Sequence, residues 1–100
     1  MFVLNFDSME QQLQETVLGM RKNGYQLDAV HIGNPMNEFW KDKIPVLMRE
    51  KLERWIQVEE YMGFPIIVDA LMPVNQIKIV FRNHGGLLDQ RTITGVMEEV

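Results

Sequence analysis

Two hydrophobic periods share this chain, and together they limit it to a fold that mixes helices and strands. Met9, Leu13, Val17 and Met20 recur at spacings of four, four and three, which lines one face of a helix. Gln12, Gln14, Glu15, Arg21 and Lys22 occupy the rest of that cylinder. Later, Ile77, Ile79 and Phe81 recur at every second position with Lys78 and Arg82 between and after them, the pattern of a half-buried antiparallel strand. A length of 100 residues leaves room for a single domain covering 1–100. Such a chain hides roughly two-thirds of its unfolded surface, so one modest core is available.

The remaining elements follow from local signals. Phe2, Leu4 and Phe6 alternate with Val3 and Asn5, which predicts a short opening strand. Ser8, with Gln11 three residues on, predicts the cap of a helix over about Met9–Lys22, and Asn23-Gly24 predicts its end. Ala29-Val30-His31-Ile32 reads as a buried strand running into the Gly33-Asn34-Pro35 turn. Asn34 then caps a helix with Pro35 at its first position. From Met36 to Trp55 an apolar rhythm continues through Phe39, Trp40, Ile44, Leu47, Met48 and Leu52, interrupted by Pro45. A mid-helix proline costs about 3 kcal/mol, so two pieces are expected, about Pro35–Lys41 and about Lys43–Arg54, the second capped by Asp42. Ile56 and Val58 alternate with Gln57 and Glu59 as a strand would. Phe64–Asp69 predicts another strand, Met72–Asn75 a turn, Gln76–Arg82 a strand, His84-Gly85-Gly86 a break and Arg91–Thr94 a further strand. Thr94-Gly95 predicts the start of a last helical turn. The expected fold class is α+β, a single mixed sheet of about four to five strands with two to three helices packed on it.

Charge and composition narrow the function. A net charge of −4 disfavours a protein that grips phosphate backbones, so no nucleic-acid partner is expected. The basic residues Lys41, Lys43, Arg49, Lys51 and Arg54 are threaded with Glu38, Asp42, Glu50 and Glu53, which describes a solvated helix face. Apolar runs fall short of the ~20 residues that span a bilayer, so no membrane partner is expected. Met1 to Asp7 lack the basic-then-apolar pattern of a secretory signal, and there is no cysteine, which points to a cytoplasmic protein.

Chemistry-bearing residues are scattered. His84-Gly85-Gly86 superficially matches a segment that supplies backbone donors in some ester hydrolases, but that chemistry needs a serine on a strained elbow. The sole serine, Ser8, reads as a helix cap. His31 and His84 stand far apart without the helical spacing of a metal pair, and Glu59-Glu60 would face opposite sides of a strand. Neither a metal nor a cofactor is expected. The methionines read as core filling rather than an adaptable binding surface. Trp40 and Trp55 fall on the long apolar stripe, and either one, if bare, would mark a partner site.

Leu27-Asp-Ala-Val-His-Ile-Gly-Asn-Pro and Met62-Gly-Phe-Pro-Ile-Ile-Val-Asp-Ala-Leu-Met-Pro-Val-Asn-Gln-Ile-Lys-Ile-Val resemble the axial domain of tailed-bacteriophage major capsid proteins. There a strand and helix precede a Gly-x-Pro-apolar strand, a Met/Leu-Pro turn and a further strand. The resemblance covers about Leu27–Phe81, and the residues read the same way on their own: Gly63 and Pro65 set the entry, the apolar run is a central strand, and Met72-Pro73 turns the chain. It implies assembly through protein contacts and supplies no catalytic residues. The chain lacks room for the long peripheral helix, extended loop and N-terminal arm of a shell subunit, so a free-standing relative of one domain is expected, or a small phage or prophage protein that borrowed the architecture.

The leading expectation is therefore a non-enzymatic interaction or assembly protein, phage- or prophage-derived, resident in the host cytoplasm or the virion. It self-associates as a homo-oligomer or docks on a virion or host protein. The contact sources are an uncovered edge strand, the Arg82-Asn83-His84 turn, and Trp40 and Trp55. The alternative is a small-molecule (nucleotide or metabolite) binding or sequestering protein, or a small enzyme. Its pocket would lie between sheet and helices or between subunits, with His31, Asp69, Arg82 and His84 as the polar groups.

Overall fold

A computed structural model describes residues 2–100. The chain is α+β, as its two periods predict. Strand β1 (Phe2–Leu4) leads into helix α1 (Phe6–Lys22) and strand β2 (Gln26–Gly33). A 3-10 turn (Lys41–Lys43) precedes helix α2 (Val46–Val58). Five strands follow: β3 (Glu60–Tyr61), β4 (Phe64–Asp69), β5 (Gln76–Arg82), β6 (Leu88–Thr94) and β7 (Met97–Glu99). The main sheet has the order β3-β4-β2-β5-β6, and β1 pairs with β7 in a separate antiparallel ribbon. Strands β2 and β4 are parallel with α2 as their crossover, whereas β5 is antiparallel to both β2 and β6.

The core lies between the helices and one face of the sheet. Met9, Leu13, Val17 and Met20 of α1 and Met48, Leu52 and Trp55 of α2 join Val30, Ile32, Ile77, Ile79 and Phe81 in one buried cluster. Both predicted periodicities are thus realised, each turning its apolar side to the same interior. In the pairing of β2 with β5, Val30 lies opposite Ile79 and His31 opposite Lys78. The alternate residues His31, Lys78 and Val80 therefore sit half-buried on the sheet face that carries no helix.

Local chemistry explains several boundaries that differ from expectation. The α1 cap is Asn5, whose Oδ1 accepts from the Ser8 N–H at 3.1 Å; Ser8 is inside the helix, and Phe6 belongs to the helix, not the first strand. Asn5 also donates through its side chain to Glu98 and through its backbone to Val96, tying the helix entry to the strand ribbon. The helix ends at Asn23, and Gly24 takes the left-handed φ of +79° that follows.

No helix forms over Pro35–Lys41. Asn34 and Asn37 each accept, through Oδ1, the N–H two residues on, at 2.9 Å, closing side-chain turns in place of a helical ladder. Asp42 lies in the 3-10 turn and caps nothing; Pro45 itself precedes α2, with ψ at 144°. Pro45 therefore separates two pieces and does not kink one. Ile56 and Val58 continue α2, which stops at Glu59 in a left-handed conformation. The tail after Thr94-Gly95 is strand β7, not a helical turn. Strand β4 lies between β3 and β2, as expected of an interior strand, but the two-residue β3 covers only Phe64 and Pro65, and Ile67 and Val68 are exposed.

Candidate functional site

The Arg82-Asn83-His84 turn joins β5 to β6 and is occupied by its own hydrogen bonds. Asn83 Oδ1 accepts from the N–H groups of Gly85 (3.0 Å) and Leu87 (3.1 Å), and Gly86 N–H donates to the Asn83 carbonyl (2.9 Å). Each of these backbone donors is already used within the turn, so the His-Gly-Gly segment offers no oxyanion hole. Arg82 Nη1 donates to the Gly86 carbonyl at 3.2 Å. His84 Nε2 donates to the Asn23 carbonyl at 3.0 Å, while its ring stacks on Tyr25 at 4.4 Å. Tyr25 in turn meets Phe81 edge-on at 5.4 Å. His84 therefore clamps this hairpin to the turn between α1 and β2.

Trp40 lies beyond the other end of β2. Because β2 runs antiparallel to β5, Gln26 lies opposite Arg82 at one end, while the segment carrying Trp40 leaves after Gly33 at the other. Trp40 is half-buried against the core and meets Phe39 edge-on at 5.0 Å. Phe39 is 67% exposed, and the Lys43 ammonium stands 4.3 Å from its ring centroid and 5.2 Å from that of Trp40. Nearby, an open groove of about 370 Å³ is lined by Asn34, Pro35, Met36, Ile56 and Val68 among others.

Trp55 does not reach the surface. It is 8% exposed, packed on Tyr61 at 4.1 Å and near Phe6 at 6.1 Å, so it is a core residue and not a surface anchor. His31 stands on the open sheet face between Ile67 of β4 and Lys78 of β5. Asp69 Oδ1 accepts from the Leu71 N–H at 2.9 Å and shapes the turn after β4. The proposed polar set of His31, Asp69, Arg82 and His84 is not gathered in one place. Among the described residues, no cluster of three or more His, Cys, Asp or Glu side chains could hold a metal ion. Among the same residues, no helix is long and apolar enough to cross a membrane.

The outer side of β6 is a further candidate, since among the described residues β5 is its only sheet neighbour. Its hydrogen-bonding phase can be read from the two ends of the ladder. Asn83 N–H donates to the Leu87 carbonyl, and Gly95 N–H donates to the Asn75 carbonyl, both in register with the β5–β6 pairs. Hydrogen-bonded pairs alternate with non-bonded ones in an antiparallel ladder. Asp89, Arg91 and Ile93 thus direct their backbone groups to β5, and Leu88, Gln90 and Thr92 direct theirs outward. Residues 88–92 are all exposed.

The sequence pattern predicts an uncovered edge strand but places Phe39 on a buried helical stripe, where the structure leaves it exposed. The signal for Phe39 was present in Asn34 and Asn37, two turn-forming side chains three residues apart. Compared with family models, curated proteins and solved structures, the chain matches none.

Proposed function

We propose that this chain is a non-enzymatic interaction protein that works through protein–protein contacts, by self-association or by docking on a virion or host protein. The observation that carries this reading is the segment between β2 and α2 with the first turn of α2. Met36, Phe39, Val46 and Leu47 lie within twelve residues and are each at least 58% exposed. Single exposed apolar side chains are ordinary, whereas four large ones in so short a stretch of chain support a contact role. Phe39 meets Trp40 edge-on with the Lys43 ammonium near both rings, which adds aromatic side chains of the kind that anchor interfaces. A phage or prophage origin, as a free-standing relative of one capsid-protein domain, rests on the Leu27–Phe81 motifs. Along the chain these motifs form a strand, a crossover helix, a strand, a turn and a strand.

Small-molecule binding is not favoured by a specific observation. The groove beside Met36 is lined by none of His31, Asp69, Arg82 and His84. A photocrosslinking amino acid at Phe39 or Leu47, compared with one at exposed Gln11 on α1, tests the contact reading in the producing cell. Discrete protein adducts from positions 39 and 47 and none from 11 are expected. A thermal-shift response to a nucleotide or metabolite, with no adducts, would overturn it.

A further inference from the structure

We propose that two copies of this chain pair through the free edges of β6, in antiparallel register about a two-fold axis at Gln90, to form one continuous sheet. This deepens the contact reading above by naming one partner, a second copy, and the surface that receives it.

Three features of β6 select that occupant. First, the strand ends the main sheet with its outer side unpaired, and Leu88, Gln90 and Thr92 present their backbone donors and acceptors there. Such an edge is a template for another strand. Second, the outward phase fits a two-fold pairing. An axis at Gln90 sets Gln90 opposite Gln90 and Leu88 opposite Thr92 of the second copy, all in hydrogen-bonded positions. Three such pairs exchange about six main-chain hydrogen bonds.

Third, the charges choose the register. With the axis at Gln90, Asp89 faces Arg91 of the second copy, and Arg91 faces its Asp89. Both pairs fall at non-hydrogen-bonded positions, where side chains approach most closely. Moving the axis to Asp89 sets two aspartates face to face, and moving it to Arg91 sets two arginines face to face. Moving it to Thr92 places Arg91 opposite Ile93 and Asp89 opposite Gly95. Among these alternatives only the Gln90 axis pairs each charge with its opposite. The symmetry is isologous, as in the commonest closed dimers.

Sedimentation equilibrium of the full chain, from low to high micromolar concentration, tests this. A monomer–dimer equilibrium that weakens with added salt is expected. Asp89→Arg and Arg91→Asp each turn two attractions into repulsions and should weaken the dimer about tenfold or more. Mixing the two variants should restore association, because each supplies the charges that the other lacks. Gln90→Pro removes an outward N–H without touching the ladder to β5, so it should abolish the dimer with the circular dichroism spectrum unchanged. A chain that stays monomeric throughout overturns the β6 pairing and leaves the crosslinking result at Phe39 to decide the broader reading. A dimer indifferent to charge reversal and to Gln90→Pro overturns it equally, by showing that association lies elsewhere.

Discussion

Tyr61 shows how an unpaired polar atom is tolerated in a small core. Its ring packs on Trp55, and its hydroxyl is buried without a hydrogen-bond partner. Burial pushes its phenol above the ordinary value of 10.0; the Gln14 side chain, close by but outside hydrogen-bond geometry, opposes the rise, and the Glu10 carboxylate adds to it. The native state holds the phenolic proton that the unfolded chain gives up, so stability is constant below the unfolded value and falls as pH climbs above about 10. Tyr61→Phe should therefore leave stability unchanged or raise it by up to about 1 kcal/mol at neutral pH. It should also flatten the fall in stability at alkaline pH, measured by urea unfolding across that range. Gly33 makes the opposite kind of demand. A Cβ there would lie 2.6 Å from the Met72 carbonyl oxygen and 2.8 Å from the Pro73 carbonyl, both rigid backbone. Gly33→Ala should cost about 2 kcal/mol, seen as a lower urea midpoint at unchanged slope. The sequence marks Gly33 and Met72-Pro73 separately as turns; that one turn lies across the other is a tertiary fact that no local pattern carries.

At the scale of elements, what was legible divides by the strength of the periodic signal. The α1 stripe and the alternation of β5 were readable because burial repeats several times within each. The stretch from Met36 to Trp55 has an equally apolar rhythm, yet only its second part is α-helical. Asn34 and Asn37 compete for the backbone donors there, and side-chain turns win over a ladder that Pro45 would interrupt. The alternation of Ile56 and Val58 misled for a related reason. At the end of a helix two residues cannot distinguish a period of two from one of 3.6, and Trp55 extends the helical face. The α1 entry supplies a sharp test, because sequence and structure assign its cap to different residues. Asn5→Ala removes the bond to the Ser8 N–H and the contact to Glu98, and should cost about 1 kcal/mol. Ser8→Ala should change stability by no more than about 0.5 kcal/mol. Equal effects of the two substitutions in thermal unfolding would contradict the assigned cap.

Over the whole molecule, helices cover one sheet face and leave the other face and the β6 edge to water. Lys51 links the helices by pairing with Glu10, and its ammonium lies 5.3 Å from the Phe6 ring. The candidate site was only partly legible. An uncovered edge strand was foreseeable from the count of strands, but which strand it is, and which amides face outward, depend on the order β3-β4-β2-β5-β6. The same topology places the His84 turn and the Trp40 segment beyond opposite ends of β2, so they do not form one surface. The central claim is that this protein acts through a surface able to receive another chain, with the β6 edge receiving its own copy. Residue-resolved amide exchange by NMR, at low and high protein concentration, tests it most directly. Asp89 and Arg91 amides should be protected at both concentrations by β5, whereas those of Gln90 and Thr92 should exchange freely when dilute and become protected when concentrated. Free exchange of Gln90 and Thr92 at every concentration would contradict the claim.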